Sequence, residues 1–175
     1  MKNNSVVCSE CRKTVDKEQV CIIDDKPVCY KCLYDDTRPV EVYPIGKVRT
    51  ELQSSEKDGL PTGPTDISCI ELLPSQQQFM YRLDEEAYLT IVYYLHKVTS
   101  IQTVFNRRID GKNVGVFASR TPHRLSKIAI QDVRLLKIED TKLYVEGLDA
   151  MDGSPVLDIK LKLSALDLPP KKQAK

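Results

Sequence analysis

At 175 residues, the chain has room for one hydrophobic core and a small appendage. Its 26 basic and 25 acidic side chains leave a net charge of +1. That excludes a histone-like polybasic protein, so any nucleic-acid contact has to come from a local patch. With 41% apolar and 29% charged residues the chain reads as globular rather than disordered. No run approaches the ~18 consecutive apolar residues of a membrane helix, and the opening Met1 to Cys8 carries no apolar signal-peptide region. The expectation is a cytoplasmic chain that does not engage a membrane.

Residues 1–38 hold five of the six cysteines, with seven basic and seven acidic residues and few large aliphatics. Such a segment buries too little to fold unaided and needs a staple. Cys8-x-x-Cys11 and Cys29-x-x-Cys32, separated by seventeen residues, have the paired-knuckle spacing of a structural zinc site. A two-residue gap lets both sulfurs of a knuckle reach one ion, and four thiolates at ~2.3 Å complete a tetrahedron. Between the knuckles, Asp24-Asp25-Lys26-Pro27 predicts a turn joining two short strands. Leu33-Tyr34-Asp35-Asp36 after the second knuckle predicts a short helix, so the module is expected to be a zinc-ribbon or treble-clef-like finger. A redox pair and an iron–sulfur cluster are the competing readings of the same four cysteines. A closed site of this kind has no open coordination position and is not expected to be catalytic. Cys21, inside the hairpin with Ile22 and Ile23, is read as a packing residue, and Cys69, in a strand pattern, as a core residue.

After Pro39 and Pro44 the texture changes. Short alternating or β-branched runs recur at Val42–Arg49, Ile67–Leu73, Leu89–Val98, Ile101–Phe105, Val114–Ala118, Ile128–Ile138, Leu143–Val145 and Val156–Leu163. Turn signals separate them, among them Lys57-Asp58-Gly59, Asp110-Gly111-Lys112-Asn113 and Asp152-Gly153-Ser154-Pro155. Asp84-Glu85-Glu86-Ala87 reads as one helical turn. The pattern predicts a mainly β domain over 39–168, an antiparallel sandwich or barrel, followed by a frayed tail at 169–175.

Charge is uneven within that domain. Arg107 to Arg134 carries seven basic and two acidic residues, whereas Glu139 to Asp158 carries six acidic residues and one lysine. Two solvated faces account for this, as does a polar site built where the segments meet. Arg120, His123 and Arg124 leave the end of an apolar run in a proline-containing turn. Two guanidiniums and an imidazole in one loop suit a carboxylate, a phosphate or a nucleotide. Downstream, Asp149, Asp152 and Asp158 surround a tight turn and suit ribose hydroxyls or an ammonium.

Several motifs, in one order, resemble the TsaA/TrmO family of S-adenosylmethionine-dependent tRNA methyltransferases. Pro44-Ile45-Gly46 is similar to the family's opening strand and Tyr93-Tyr94-Leu95-His96-Lys97 to its aromatic–His–Lys strand end. Val116-Phe117-Ala118-Ser119-Arg120-Thr121-Pro122-His123-Arg124 resembles its arginine signature. Leu143 to Lys160 follows its Gly-Leu-Asp and Asp-Gly-Thr-Pro block. The resemblance covers Tyr43 to about Lys162. It implies a small antiparallel barrel of the TsaA/YaeB type that forms a homodimer and binds S-adenosylmethionine near the dimer interface. It also implies methylation of the exocyclic amine of a modified adenosine next to the tRNA anticodon.

By the same resemblance, donor contacts map onto Pro61, Thr62, Gly63, His96, Lys97, Arg120, Ile130, Met151, Asp152, Gly153 and Ser154. Arg120 is expected to hold the donor's carboxylate and Asp152 its ribose or amino group. His96 orients the adenine or the donor, and His123 and Arg124 meet the RNA or the adjoining donor. The chain also departs from the pattern. Pro61-Thr62-Gly63 stands where the family has Pro-Arg-Gln. Leu125-Ser126-Lys127-Ile128-Ala129-Ile130 replaces Pro-Asn-Pro-Ile-Gly-Leu, and the cysteine module is added. These departures keep two other classes in play: a non-catalytic scaffold or donor sensor on the same barrel, and a cofactor-free RNA-binding protein that uses finger and basic segment together.

Overall fold

The computed structural model describes residues 4–50 and 67–163. Their contacts divide into two compact units, one made of residues 4–42 with 95–129, the other of residues 43–50, 67–94 and 130–163.

The first unit is assembled from small pieces. Strands β1 (Ser5–Val7) and β2 (Thr14–Asp16) form one antiparallel pair, and β3 (Val20–Ile23) and β4 (Lys26–Cys29) form another. The predicted turn between β3 and β4 is made by Asp24 and Asp25, at φ 45° and 62°. Aspartate tolerates this left-handed conformation better than most residues, because its short side chain bonds locally. Helix α1 (Tyr30–Tyr34) starts directly after Cys29 and carries Cys32, so the expected short helix begins inside the second knuckle and ends before Asp35 and Asp36. The buried centre of this finger is only Cys8, Val28 and Cys29, with Val15, Val20, Ile23 and Leu33 packed around it. The rest of the unit, residues 95–129, contains one hairpin of β8 (Val104–Arg107) with β9 (Lys112–Gly115).

The second unit is a closed antiparallel barrel of six strands. They are β5 (Gly46–Arg49), β6 (Ile67–Leu72), β7 (Tyr88–Tyr94), β10 (Ile128–Glu139), β11 (Lys142–Glu146) and β12 (Pro155–Leu161), in the order β10-β11-β6-β5-β12-β7. The mainly β barrel expected from the punctuated runs is therefore present. Period-2 alternation points Val48, Ile70, Leu89, Ile91, Val133, Leu143, Val145 and Val156 into its centre, all at most 2% exposed. Closure leaves no free sheet edge among these strands.

Three local expectations change. The run Val114–Ala118 is a strand only to Gly115; Val116–Ala118 forms a 3-10 turn, because a short apolar run does not by itself choose between strand and turn. The acidic helical turn is a 3-10 turn at Leu83–Glu85, one residue earlier than read. Cys69 is not a core residue: Ser68, Ile70 and Leu72 take the buried phase of β6 and Cys69 shares the outer phase with Glu71.

Candidate functional sites

The two knuckles bring four sulfurs together. The Sγ atoms of Cys8, Cys11, Cys29 and Cys32 all lie within 4.8 Å of one another. Cys8 and Cys32 are 3.9 Å apart, as are Cys11 and Cys29. A disulfide requires ~2.05 Å. Four thiolates at ~2.3 Å from one tetrahedral ion stand about 3.8 Å apart, so the spacing fits a shared metal ion. The electrostatics fit as well. Backbone N–H groups of Cys11 and Cys29 lower the Cys8 thiol to about 6, and the Cys29 N–H donates to its sulfur at 3.3 Å. The neighbouring thiols, Cys29 first and Cys11 next, push Cys32 up to about 12. Backbone donors thus favour the thiolate at Cys8, and the neighbouring sulfurs oppose it at Cys32, an opposition that a cation among the sulfurs would relieve. All four predicted ligands are brought together, and the cluster is compatible with a zinc finger.

In the barrel, Met151-Asp152-Gly153-Ser154 forms the tight turn that enters β12. Ser154 N donates to Met151 O at 3.0 Å, and Gly153 takes the φ of 79° that the turn requires. The turn is riveted to β5: Gly153 N donates to Val48 O at 2.9 Å and Val48 N to Ser154 O at 2.9 Å. Asp152 is thereby fixed beside Thr50 N (3.2 Å) and Arg49 Nη1 (3.6 Å). Arg49 also donates to Glu71 at 3.0 Å and, with Lys47 nearby, holds that carboxyl below its usual range. The preceding Gly147-Leu148-Asp149 loop is tied down independently. The Gln131 amide donates to Gly147 O at 2.7 Å, and buried Tyr93 donates to Asp149 O at 2.5 Å. Ile130, at the same end of β10 as Gln131, is exposed. Pro61, Thr62 and Gly63 lie outside the described residues.

The other predicted residues belong to the first unit. His96 and Lys97 are exposed in the turn that follows β7. Arg120 is exposed, and no hydrogen bond or ion pair holds its guanidinium among the described residues. Arg124 behaves differently: its guanidinium donates to Thr121 O at 3.0 Å and to Ser119 O at 2.6 Å, closing the loop around buried Thr121. His123 Nδ1 lies 2.9 Å from Ser100 Oγ. Within this one loop, then, Arg120 is left available to a ligand while Arg124 shapes the turn. The family resemblance separates the two arginines by ligand, but nothing in the residues themselves shows that Arg124 bonds the loop's own carbonyls. Arg49, which holds the acidic turn, and Gln131 and Tyr93, which hold the loop before it, also escape sequence reasoning, being residues of other strands.

The closed barrel, with an acidic turn locked to its seam and a cationic loop inserted between β7 and β10, defines the class of protein. Residues 50–168 match the family model of the tRNA-methyltransferase O N-terminal domain, and the chain belongs to that family. A Mus musculus protein named tRNA (adenine(37)-N6)-methyltransferase is 36% identical over 124 residues, covering 65% of this chain and 29% of its own. A Pseudomonas aeruginosa protein named putative S-adenosylmethionine-dependent methyltransferase RcsF is 30% identical over 139 residues, 74% of this chain and 57% of its own. The crystal structure of TrmO from Pseudomonas aeruginosa superposes with a TM-score of 0.59 at 27% identity, over 78% of this chain and 62% of that one. The chain therefore spans less than a third of the mouse relative and little over half of the Pseudomonas one. The cysteine module lies outside the family match. Among the described residues, no helix is long and apolar enough to cross a membrane.

Proposed function

We propose that this chain binds S-adenosylmethionine and methylates the exocyclic N6 amine of the modified adenosine next to a tRNA anticodon. Membership of the TrmO family carries this reading, with relatives named as methyltransferases and as S-adenosylmethionine-binding proteins. Two features of the chain's own residues support it. Asp152 presents a carboxylate fixed by Thr50 and Arg49, suited to an ammonium or a ribose edge. Arg120 presents an exposed guanidinium that makes no ion pair among the described residues, suited to a carboxylate.

When bound, S-adenosylmethionine supplies a methyl group made electrophilic by an attached sulfonium. The protein's part is alignment and exclusion of water rather than strong base catalysis, because an amine sheds its proton after attack. Arg120 would hold the donor's carboxylate, and Asp152 its ribose or amino group. By the family resemblance, Pro61, Thr62, Gly63, His96, Lys97, Ile130, Met151, Gly153 and Ser154 would each contact the donor as well. His123 and Arg124 would meet the RNA or the adjoining donor, with Arg124 also bracing the turn through Thr121 O and Ser119 O. We further propose that the four cysteines hold a structural Zn(2+), that the finger (1–38), barrel (39–168) and tail (169–175) act as one cytoplasmic protein, and that two copies form a homodimer. Light scattering tests the last point directly.

The deciding experiment is calorimetric titration with S-adenosylmethionine, followed by incubation with tRNA and radiolabelled methyl donor. Saturable donor binding and label recovered as N6-methylated adenosine are the expected results. Absence of heat at millimolar donor removes the reading, and binding without transfer points to a donor sensor instead. Asp152→Ala and Arg120→Ala should each weaken donor binding about tenfold or more, the usual cost of deleting one partner of a charge-assisted contact. Arg134→Ala, whose guanidinium pairs with Glu146 on the barrel wall, should leave it unchanged.

A further inference from the structure

The finger does not stand free of the segment that carries His123. At the tip of the β3–β4 hairpin, Ile23 pairs in parallel with Ile101. Ile101 N donates to Ile22 O at 3.3 Å, and Asp24 N donates to Ile101 O at 2.9 Å. Ile101 itself is buried. The Asp24 carboxylate then closes over the next turn of chain: Thr103 N donates to Oδ1 at 3.1 Å and the Thr103 hydroxyl donates to Oδ2. On its other edge the same short segment holds the cationic loop. Gln102 N donates to His123 O at 3.1 Å, Ser100 Oγ meets His123 Nδ1, and Val116 N donates to Thr103 O at 3.1 Å. Residues 100–103 are thus gripped by the hairpin on one side and grip the His123 turn on the other.

This arrangement makes sense of a segment that has little to hold it. Residues 95–129 form one two-stranded hairpin and several turns, and an isolated hairpin of that size is marginal in water. An added pair of backbone hydrogen bonds and a carboxylate clamp from a rigid neighbour is the ordinary way to fix such a loop. We propose that the finger is the positioning platform of the His123–Arg124 turn, and that Asp24 is its positioning residue. The four-cysteine centre would act through this hairpin to order the loop that meets substrate. The inference rests on the metal-site reading above.

Three variants of the full chain test it, each followed by hydrogen–deuterium exchange with the metal content measured alongside. Asp24→Gly deletes the carboxylate while preserving the positive φ of the turn. Thr103→Val deletes the hydroxyl donor. Asp24→Asn restores both contacts, its oxygen accepting from Thr103 N and its amide donating to the Thr103 hydroxyl. In Asp24→Gly and Thr103→Val, amides of 101–103 and 120–124 should exchange about tenfold faster, with metal stoichiometry at one per chain and the barrel unaffected. Asp24→Asn should return close to the parent rate, a rescue that a general loss of finger stability would not produce. Chelation of the parent protein should release the same two peptides. Unchanged exchange in Asp24→Gly with the metal bound would overturn the platform. A parent protein purified under reducing conditions that neither contains nor takes up Zn(2+) would overturn its metal dependence alone, since the Asp24 comparison still reads the clamp.

Discussion

Chelation of the proposed structural ion, or replacing Cys29 by Ser, is expected to unfold the finger while the barrel stays closed. The finger's buried centre is three residues, two of them the proposed ligands Cys8 and Cys29. Its pairs β1–β2 and β3–β4 are single hairpins, and α1 has five residues, far short of the length at which a helix holds itself. Binding of structural zinc to comparable modules supplies an apparent 10–16 kcal/mol at neutral pH, roughly the whole of their folding free energy. Cys29 is 4% exposed and its own N–H points at the Cys8 sulfur, so serine there loses the ligand and buries a hydroxyl in its place. Acid should act in the same direction as chelation, because protons compete with the ion for every thiolate. The check is exchange mass spectrometry on protein with and without chelator. Amides of β3, β4 and α1 should lose protection, while those of β6, β7 and β11 keep theirs. A finger that remains protected without metal would show that its small apolar cluster suffices.

The contrast between finger and barrel explains how much of the fold was legible. The cysteine spacing picks out the four clustered sulfurs because the constraint is local: each knuckle closes within four residues. The barrel strands follow from alternation, and their ends from aspartate- and glycine-bearing turns such as Asp152-Gly153. Ile67 to Leu72 shows where alternation becomes ambiguous. Ile67 and Cys69 favour one inward phase and Ile70 and Leu72 the other, and a shift of one residue exchanges the faces. Glu71 decides it: a carboxylate turns outward, where Arg49 meets it at 3.0 Å. The consequence is that Ser68 points inward, fully buried, with its hydroxyl unpaired among the described residues.

What supports the candidate sites was much less legible. Asp152 depends on Thr50, 102 residues away, and Asp24 on Thr103, 79 residues away. No window of sequence contains either pair. The family resemblance carries Asp152 and Arg120 as motif positions, but it is silent on Asp24, because the finger lies outside the matched region. The division of labour between Arg120 and Arg124 is likewise a matter of which carbonyls the loop turns inward, and only the folded backbone settles that.

Gly46 offers the sharpest test of the barrel seam. Strand β5 is the piece that joins β6 to β12, with Gly46 opposite Leu72 on one side and Val156 on the other. A Cβ on Gly46 would stand 2.4 Å from Glu71 O and 2.9 Å from the Leu72 Cα. Both are backbone atoms of the pairing strand, so neither can move without opening the ladder. Gly46→Ala is therefore expected to destabilise the barrel by about 2–3 kcal/mol, a fall in Tm of roughly 5–10 °C for a chain of this size. The loss should reach the acidic turn as well. Val48, two residues along β5, makes both backbone hydrogen bonds that rivet Gly153 and Ser154, so a shifted β5 moves Asp152 relative to Arg49 and Thr50. Donor affinity should fall with Tm in Gly46→Ala. Lys47→Ala, which removes only a half-exposed contact to Glu71 at 3.7 Å, should change neither, since exposed pairs of this kind contribute little. A Gly46→Ala protein that melts with the parent would mean that the β5–β6 ladder yields locally at Glu71, and the acidic turn would then owe its placement to the preceding loop, which Gln131 and Tyr93 hold at Gly147 and Asp149.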